Sequence, residues 1–201
     1  MARETLDRQR KLFDPVWGGV YQYSDSGDWD HPHFEKIMSV QADNLRLYAQ
    51  AYAQWRDPRD LEAAQAVRAY PATFLRAPQG AFYTSQDADV VRGEHAGEYF
   101  AKSDAERRRL GLPRVDTHLY ARENAWAVHA LVVLHTATGD EAPLREALGA
   151  AEWIVGLGGG ARRGGAGPRG APRRRAPGAG ARRARVDPAS GKTSSPPARK
   201  A

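Results

Sequence analysis

Two pairs of helical segments, related by one constant offset along the chain, constrain the fold more than any other feature. Over Glu35–Trp55, Ile37, Val40, Asn44, Leu47 or Tyr48, Ala51 and Trp55 recur at three- and four-residue steps, the spacing of one helix face. Asp57-Pro58 interrupts that pattern. A second stripe, Leu61, Ala64, Val67, Tyr70 and Phe74, then runs over Asp60–Arg76. Pro71 is expected to kink this second helix by removing a donor, the alternative being that the helix ends there. A third helix is predicted over Tyr120–Ala137, with Asn124, Leu131 and Leu134 on its apolar side and Gly139 closing it, and a fourth over Glu141–Leu157. The offset that carries Tyr48 onto Leu131 also carries Asp57 onto Asp140, Leu61 onto Leu144, Ala64 onto Ala147 and Tyr70 onto Trp153. One helix hairpin cannot bury its own stripe, so two copies imply a repeated α/α array.

Between the hairpins, Ala81–Ser85 reads as a short strand with Glu98–Ala101 as its partner. Ser103 with Glu106 forms a capping-box pattern that starts a short charged helix, ended by Gly111 and Pro113. Ahead of the first hairpin, Glu4–Phe13 is expected to be helical and to stop before Pro15. The paired Gly18 and Gly19 allow backbone conformations or close approaches that a side chain would block.

The overall charge of +6 is unevenly placed: from Ala161 onward twelve Lys and Arg face one acid, Asp187, which leaves −5 on the chain ahead of Ala161. A mildly acidic body with a basic Gly, Ala, Pro and Arg-rich tail differs from a nucleic-acid-binding domain, whose charge lies on folded faces. The expected organisation is a helical domain over 1–157 and a disordered tail over 158–201, since the tail cannot bury enough area to offset ordering it. A shifted reading frame in GC-rich coding sequence would give the same composition. The tail is expected to hold anions, including nucleic acid, only weakly and non-specifically. There is no cysteine, which excludes disulfides, thiolate metal sites and thiol catalysis. The first residues are charged and carry no apolar run, so neither a signal peptide nor a membrane span is expected and the location is read as cytoplasmic.

Candidate chemistry concentrates in Trp17–Lys36, where Trp17, Tyr21, Tyr23 and Trp29 lie among acids and the pair His31 and His33. Spaced by one residue in an extended segment, the two imidazoles would share a side, but the pattern is no specific ligand signature, and neither metal nor cofactor is assigned. General acid and base work suits His31, His33 and Glu35 better, with Asp87 or Asp89 supplying a second carboxylate across a cleft. The alternative is that Asp87 caps a loop and that His33 or Glu35 supports the start of the following helix. Flat rings beside hydrogen-bonding groups suit a sugar-like ligand, with Trp17, Tyr21, Tyr23, Trp29, Tyr83, Gln86 and Asn124 as binding residues. Such rings also form lids over ordinary cores. Asn124 lies on a buried stripe and must find partners, for which the loop carrying His33 is one candidate.

The segments GGVYQYSDSGDWDHPHFEKIMSVQADNLRLYAQAY, GAFYTSQDAD and VDTHLYARENAWAVHAL resemble the thioredoxin-domain-containing proteins of the spermatogenesis-associated type, over about residues 12–157. The resemblance implies part of a six-hairpin α/α toroid, similar to that of N-acylglucosamine 2-epimerases and many glycosidases. The expected class is therefore mainly α, a partial α/α toroid with a short β-hairpin insert. The family's thioredoxin-like domain and its cysteines are absent, so no redox activity carries over. The leading expectation is a carbohydrate-active type of site with no reaction assigned. The alternative is a non-catalytic remnant that self-associates through exposed helix faces.

Overall fold

The computed structural model describes residues 1–90 and 96–162, the side chains of 158–162 excepted. In chain order the elements are α1 (Ala2–Gln9), a 3₁₀ turn at Arg10–Leu12, β1 (Tyr23–Ser24), β2 (Pro32–His33), β3 (Lys36–Ile37), α2 (Met38–Trp55) and α3 (Pro58–Phe74). There follow β4 (Ser85–Gln86), α4 (Ala96–Phe100), α5 (Asp104–Leu110), β5 (Val115–Asp116), α6 (Ala121–Thr138) and α7 (Glu141–Arg162). The repeat seen in the sequence is structural. The offset that carries Tyr48 onto Leu131 also carries both ends of α2, Met38 and Trp55, onto those of α6, Ala121 and Thr138, and the start of α3 at Pro58 onto that of α7 at Glu141. Arg56 and Gly139 occupy the same closing position with φ of 55° and 76°. Asp57 and Asp140 then each accept a backbone N–H two residues on, from Arg59 and Ala142, as a helix N-cap does.

α2 packs on both α3 and α6, and α6 on α7. Small residues set how closely these helices approach: Ala42, Ala49, Ala64, Ala127, Ala130, Ala147 and Ala150 are all buried, interleaved with Leu45, Tyr48, Val67, Leu131 and Leu134. The paired glycines behave as their sequence predicts. Gly18 has φ of 70°, and a Cβ there would lie 2.3 Å from the Ala66 carbonyl oxygen, which accepts the Gly19 N–H at 3.0 Å. Pro71 lies inside α3, which runs on to Phe74.

A short β insert is present, but its pairing corrects the sequence expectation. Residues 98–101 do not pair with 81–85. β4 instead lies between β3 and β5, antiparallel to both, and residues 96–100 form α4. Consecutive strand residues point to opposite faces, which would keep one of Tyr99 and Phe100 out of the core. In α4 both are buried, against Trp17, and Phe100 also meets Tyr21 and Phe34. The first long helix starts at Met38 and not at Glu35, because Lys36 and Ile37 are taken up by pairing with Gln86 and Ser85. The capping pattern at α5 holds, with the Glu106 carboxylate accepting from both the N–H and the hydroxyl of Ser103. Of the tail assigned to 158–201, only the backbone of α7 as far as Arg162 is described. The rest lies outside the described residues, as does the loop at 91–95 with His95.

Candidate functional site

The β3–β4–β5 sheet sorts the polar residues of this region by alternation. Lys36 pairs with Gln86 and Gln86 with Val115, while Ile37 pairs with Ser85 and Ser85 with Asp116. Cross-strand partners share a face. The row Lys36, Gln86 and Val115 therefore points inward, and Lys36 and Gln86 are each 1% exposed. One residue further along, the same register sets Glu35 beside Asp87 and Asp87 beside Arg114, and the Asp87 N–H donates to the Arg114 carbonyl at 2.8 Å. Glu35, Ser85, Asp87, Arg114 and Asp116 all fall on the outward face and line one open cavity of about 340 Å³.

Inward of this sheet lies a buried charged knot. The Asp14 carboxylate accepts from Lys36 Nζ and from Arg107, both at 2.7 Å, and from the backbone N–H of Val16 at 2.9 Å. Lys36 also donates to the Gly18 carbonyl and lies 4.1 Å from the Tyr70 ring centre. Arg107 donates to the Lys102 and Phe100 carbonyls. Burial pushes the Asp14 carboxyl upward, but Arg107 and Lys36 outweigh it and hold the group below the usual carboxylate range. Burial lowers Lys36 to about 8, with Asp14 opposing the shift. One anion cannot fully compensate two buried cations, and the ammonium is the one that can yield its proton. The knot reaches the pocket through Tyr70, whose hydroxyl donates to Gln86 Oε1 at 3.0 Å, while Gln86 Nε2 donates to the Pro113 carbonyl.

The structure divides the sequence-predicted residues into groups. Glu35 and Asp87 come together in the cavity. His33 flanks them, with Nε2 3.8 Å from the Glu35 carboxylate and its ring stacked on Tyr23 at 4.8 Å. The Asp89 N–H lies 3.4 Å from the Asp87 carboxylate. His31 has a partner of its own: its Nδ1 donates to Asp28 at 2.6 Å on an exposed turn. The Asp30 backbone N–H, with help from His31 and Ser24, holds Asp28 at about 2. Among the described residues, no group of three or more His, Asp or Glu side chains converges as a metal site.

Several of the aromatic and amide assignments are corrected. Trp17 and Tyr21 are buried in the core, and Trp17 Nε1 donates to Asp104 at 2.7 Å, so neither ring offers a face to a ligand. Trp29, at φ of 69°, and Tyr83 are half-buried against the core. Gln86 lies beneath the cavity rather than in its lining. Asn124 bonds not the His33 loop but the backbone of Phe82, accepting its N–H at 2.7 Å and donating to its carbonyl at 3.0 Å. In this way a side-chain amide satisfies the edge of a buried segment that its bridge to Arg76 leaves unpaired.

Ser85, Arg114, Asp116 and His118 escaped the sequence reading. The ring of His118 and its backbone N–H both donate to the Asp116 carboxylate, at 2.5 Å and 3.1 Å. Those two bonds hold Asp116 below its ordinary value. The signal was the polar–apolar–polar run Arg114-Val115-Asp116, too short to separate from a loop without its β4 partner.

No family model matches the chain. Over 116 residues it is 36% identical to human spermatogenesis-associated protein 20, a match covering 55% of this chain and 15% of that protein. The mouse protein of the same name is 34% identical over 91 residues, 44% of this chain and 12% of that protein. Among solved structures, the chain is similar to the α-1,6-mannanase GH76A of Salegentibacter sp. HEL1_6 with a TM-score of 0.56 and 18% identity, over 76% of this chain and 38% of that one. A sugar epimerase from a ruminal bacterium gives a TM-score of 0.57 at 22% identity, over 75% of this chain and 35% of that one. The cellobiose 2-epimerase of Spirochaeta thermophila gives 0.53 at 22%, over 77% and 36%. By fold the chain is a segment of the α/α-toroid type, and over about half its length its sequence is similar to spermatogenesis-associated protein 20.

Proposed function

We propose that the outward face of the β3–β4–β5 sheet binds a sugar-like ligand, with Glu35 and Asp87 as its acid and base groups. The observation that carries this reading is the convergence of Glu35, Ser85, Asp87, Arg114 and Asp116 on one cavity of about 340 Å³, within the size range of small-molecule sites. Adjacent cross-strand positions put the Cβ atoms of Glu35 and Asp87 about 5 Å apart, close enough for both carboxylates to reach one sugar ring. His33 beside Glu35 and Asp89 beside Asp87 serve as proton-exchanging or orienting neighbours. The mannanase and epimerase neighbours support the reading by fold, which on its own is no argument for a site. Titration with mannose oligomers and cellobiose tests it: saturable binding, weakened by Asp87→Asn and Glu35→Gln in protein that still unfolds cooperatively, is the expected result. No response at millimolar sugar would refute it.

The second reading, a non-catalytic module that self-associates, rests on apolar side chains left exposed along α6 and α7, among them Trp126, Leu148 and Val155, the last 74% exposed. Patches of this kind drive association. Sedimentation analysis decides it, since a monomer at every concentration tested would exclude it. No helix among the described residues is long and apolar enough to cross a membrane.

A further inference from the structure

Resting on the sugar-binding reading above, the geometry points to a narrower ligand class: we propose that the cavity selects sugars carrying a free, protonated amine and discriminates against uronic acids and sugar phosphates. Three carboxylates, Glu35, Asp87 and Asp116, face a single guanidinium, Arg114. Arg114 is exposed, and its charge acts on Asp116, helping to keep that carboxyl ionised. Asp87 lies between Glu35 and Arg114 in the register, so the one guanidinium can offset only one of the three carboxylates and the lining keeps an excess of negative charge. Asp116 is committed to His118 and keeps its charge. The titratable neighbours of the anionic pair are His33 beside Glu35 and His118 beside Asp116.

An independent feature points to a ligand in the same place. Ser85 is only 9% exposed, lies on the outward face between Ile37 and Asp116, and lines the cavity. Among the described residues its hydroxyl has no hydrogen-bond partner. A nearly buried hydroxyl left open to a cavity is a position where a ligand oxygen or nitrogen completes the bonding. An ammonium has three donors and a full charge, and two carboxylates one strand apart can share it. A neutral hydroxyl offers one donor, an N-acetyl group removes the charge, and a carboxylate or phosphate is repelled.

The test is a titration of the intact chain with glucosamine, glucose, N-acetylglucosamine and glucuronate, followed by calorimetry or chemical shift at near-neutral pH and low salt. Glucosamine is expected to bind about three- to tenfold more tightly than glucose, with glucuronate the weakest, and added salt should narrow the spread. Glu35→Gln and Asp87→Asn should each remove most of the amine preference, while Ser85→Ala should weaken glucosamine and glucose alike and leave their ratio intact. Equal binding of glucosamine and glucose would overturn the inference and leave the sugar-binding reading standing, as would tighter binding of glucuronate. A small alkylamine binding as well as glucosamine would show simple cation attraction and overturn it too. Failure of every sugar would instead refute the underlying reading.

Discussion

Replacing Asp14 with Asn should be the most damaging conservative change in this chain. Among the described residues its carboxylate is the one anion bonded to both Lys36 and Arg107, each at 2.7 Å, and all three side chains are almost wholly buried. Asn keeps the shape and an acceptor but removes the charge, leaving two buried cations facing each other. Breaking a buried pair from one side costs about 3–5 kcal/mol. Lys36→Met takes the opposite course. It leaves the Asp14–Arg107 pair intact, removes the cation that burial already opposes, and fills the space among Trp17, Tyr21, Tyr70 and Phe100 with an apolar chain. The lost bond to the Gly18 carbonyl and the lost ring contact offset part of that gain, so a net change within about 1 kcal/mol is expected. Urea unfolding at neutral pH, followed by tryptophan fluorescence, measures both. The double variant Asp14→Asn with Lys36→Met should recover at least about 1 kcal/mol over Asp14→Asn alone. If Lys36→Met costs as much as Asp14→Asn, or if Asp14→Asn is harmless, the picture of one anion serving two buried cations is wrong.

The same knot predicts a pH dependence. Lys36 titrates at about 8 in the folded chain against 10.5 when unfolded, so between these two values the unfolded chain holds more protons and stability from this group rises with pH, by no more than about 1.4 kcal/mol per unit. Lys36→Met should flatten that rise in urea midpoints. Asp14 acts with the same sign at acid pH: its contribution is present above its ordinary value of 3.8 and is lost as acid carries the pH down through its lower value in the folded chain. Gly18→Ala should cost about 1–3 kcal/mol or prevent folding, since the added carbon meets the Ala66 carbonyl oxygen in a left-handed backbone; a variant as stable as the parent in thermal melts would contradict the close approach. Asn124→Ala leaves the Phe82 N–H and carbonyl unpaired, which should cost about 2–3 kcal/mol and speed hydrogen exchange at Phe82. Unchanged exchange there would show that another group satisfies it.

The long helices were legible because their burial is periodic and local: the three- and four-residue spacing located α2, α3, α6 and α7, and the matched Asp57 and Asp140 marked where each second helix begins. The pocket was half legible. Glu35 and Asp87 stood out as carboxylates among aromatics, but the strands that join them are two residues long, and alternation cannot be recognised over so short a run. Arg114 and Asp116 therefore stayed hidden until β4 supplied a register. Trp17 and Tyr21 misled for a related reason. Acids and histidines surround them in sequence, whereas the residues that cover them, Phe74, Tyr99 and Phe100, come from far along the chain. The Asp14–Arg107 contact spans 93 residues, and no local pattern announces it. Nothing local marks Lys36 as buried; a single strand pairing turns it inward and Glu35 outward.

Sugar binding on the outward face of the small sheet is tested most directly by amide chemical-shift mapping during titration with glucosamine. Saturable shifts are predicted to cluster at Glu35, Ser85, Asp87, Arg114 and Asp116, with the apolar groove between α1 and α2, lined by Leu6, Leu47 and Trp55, left unchanged. Absence of saturable shifts with glucosamine, cellobiose and mannose oligomers alike, or shifts gathered in that groove instead, would contradict it.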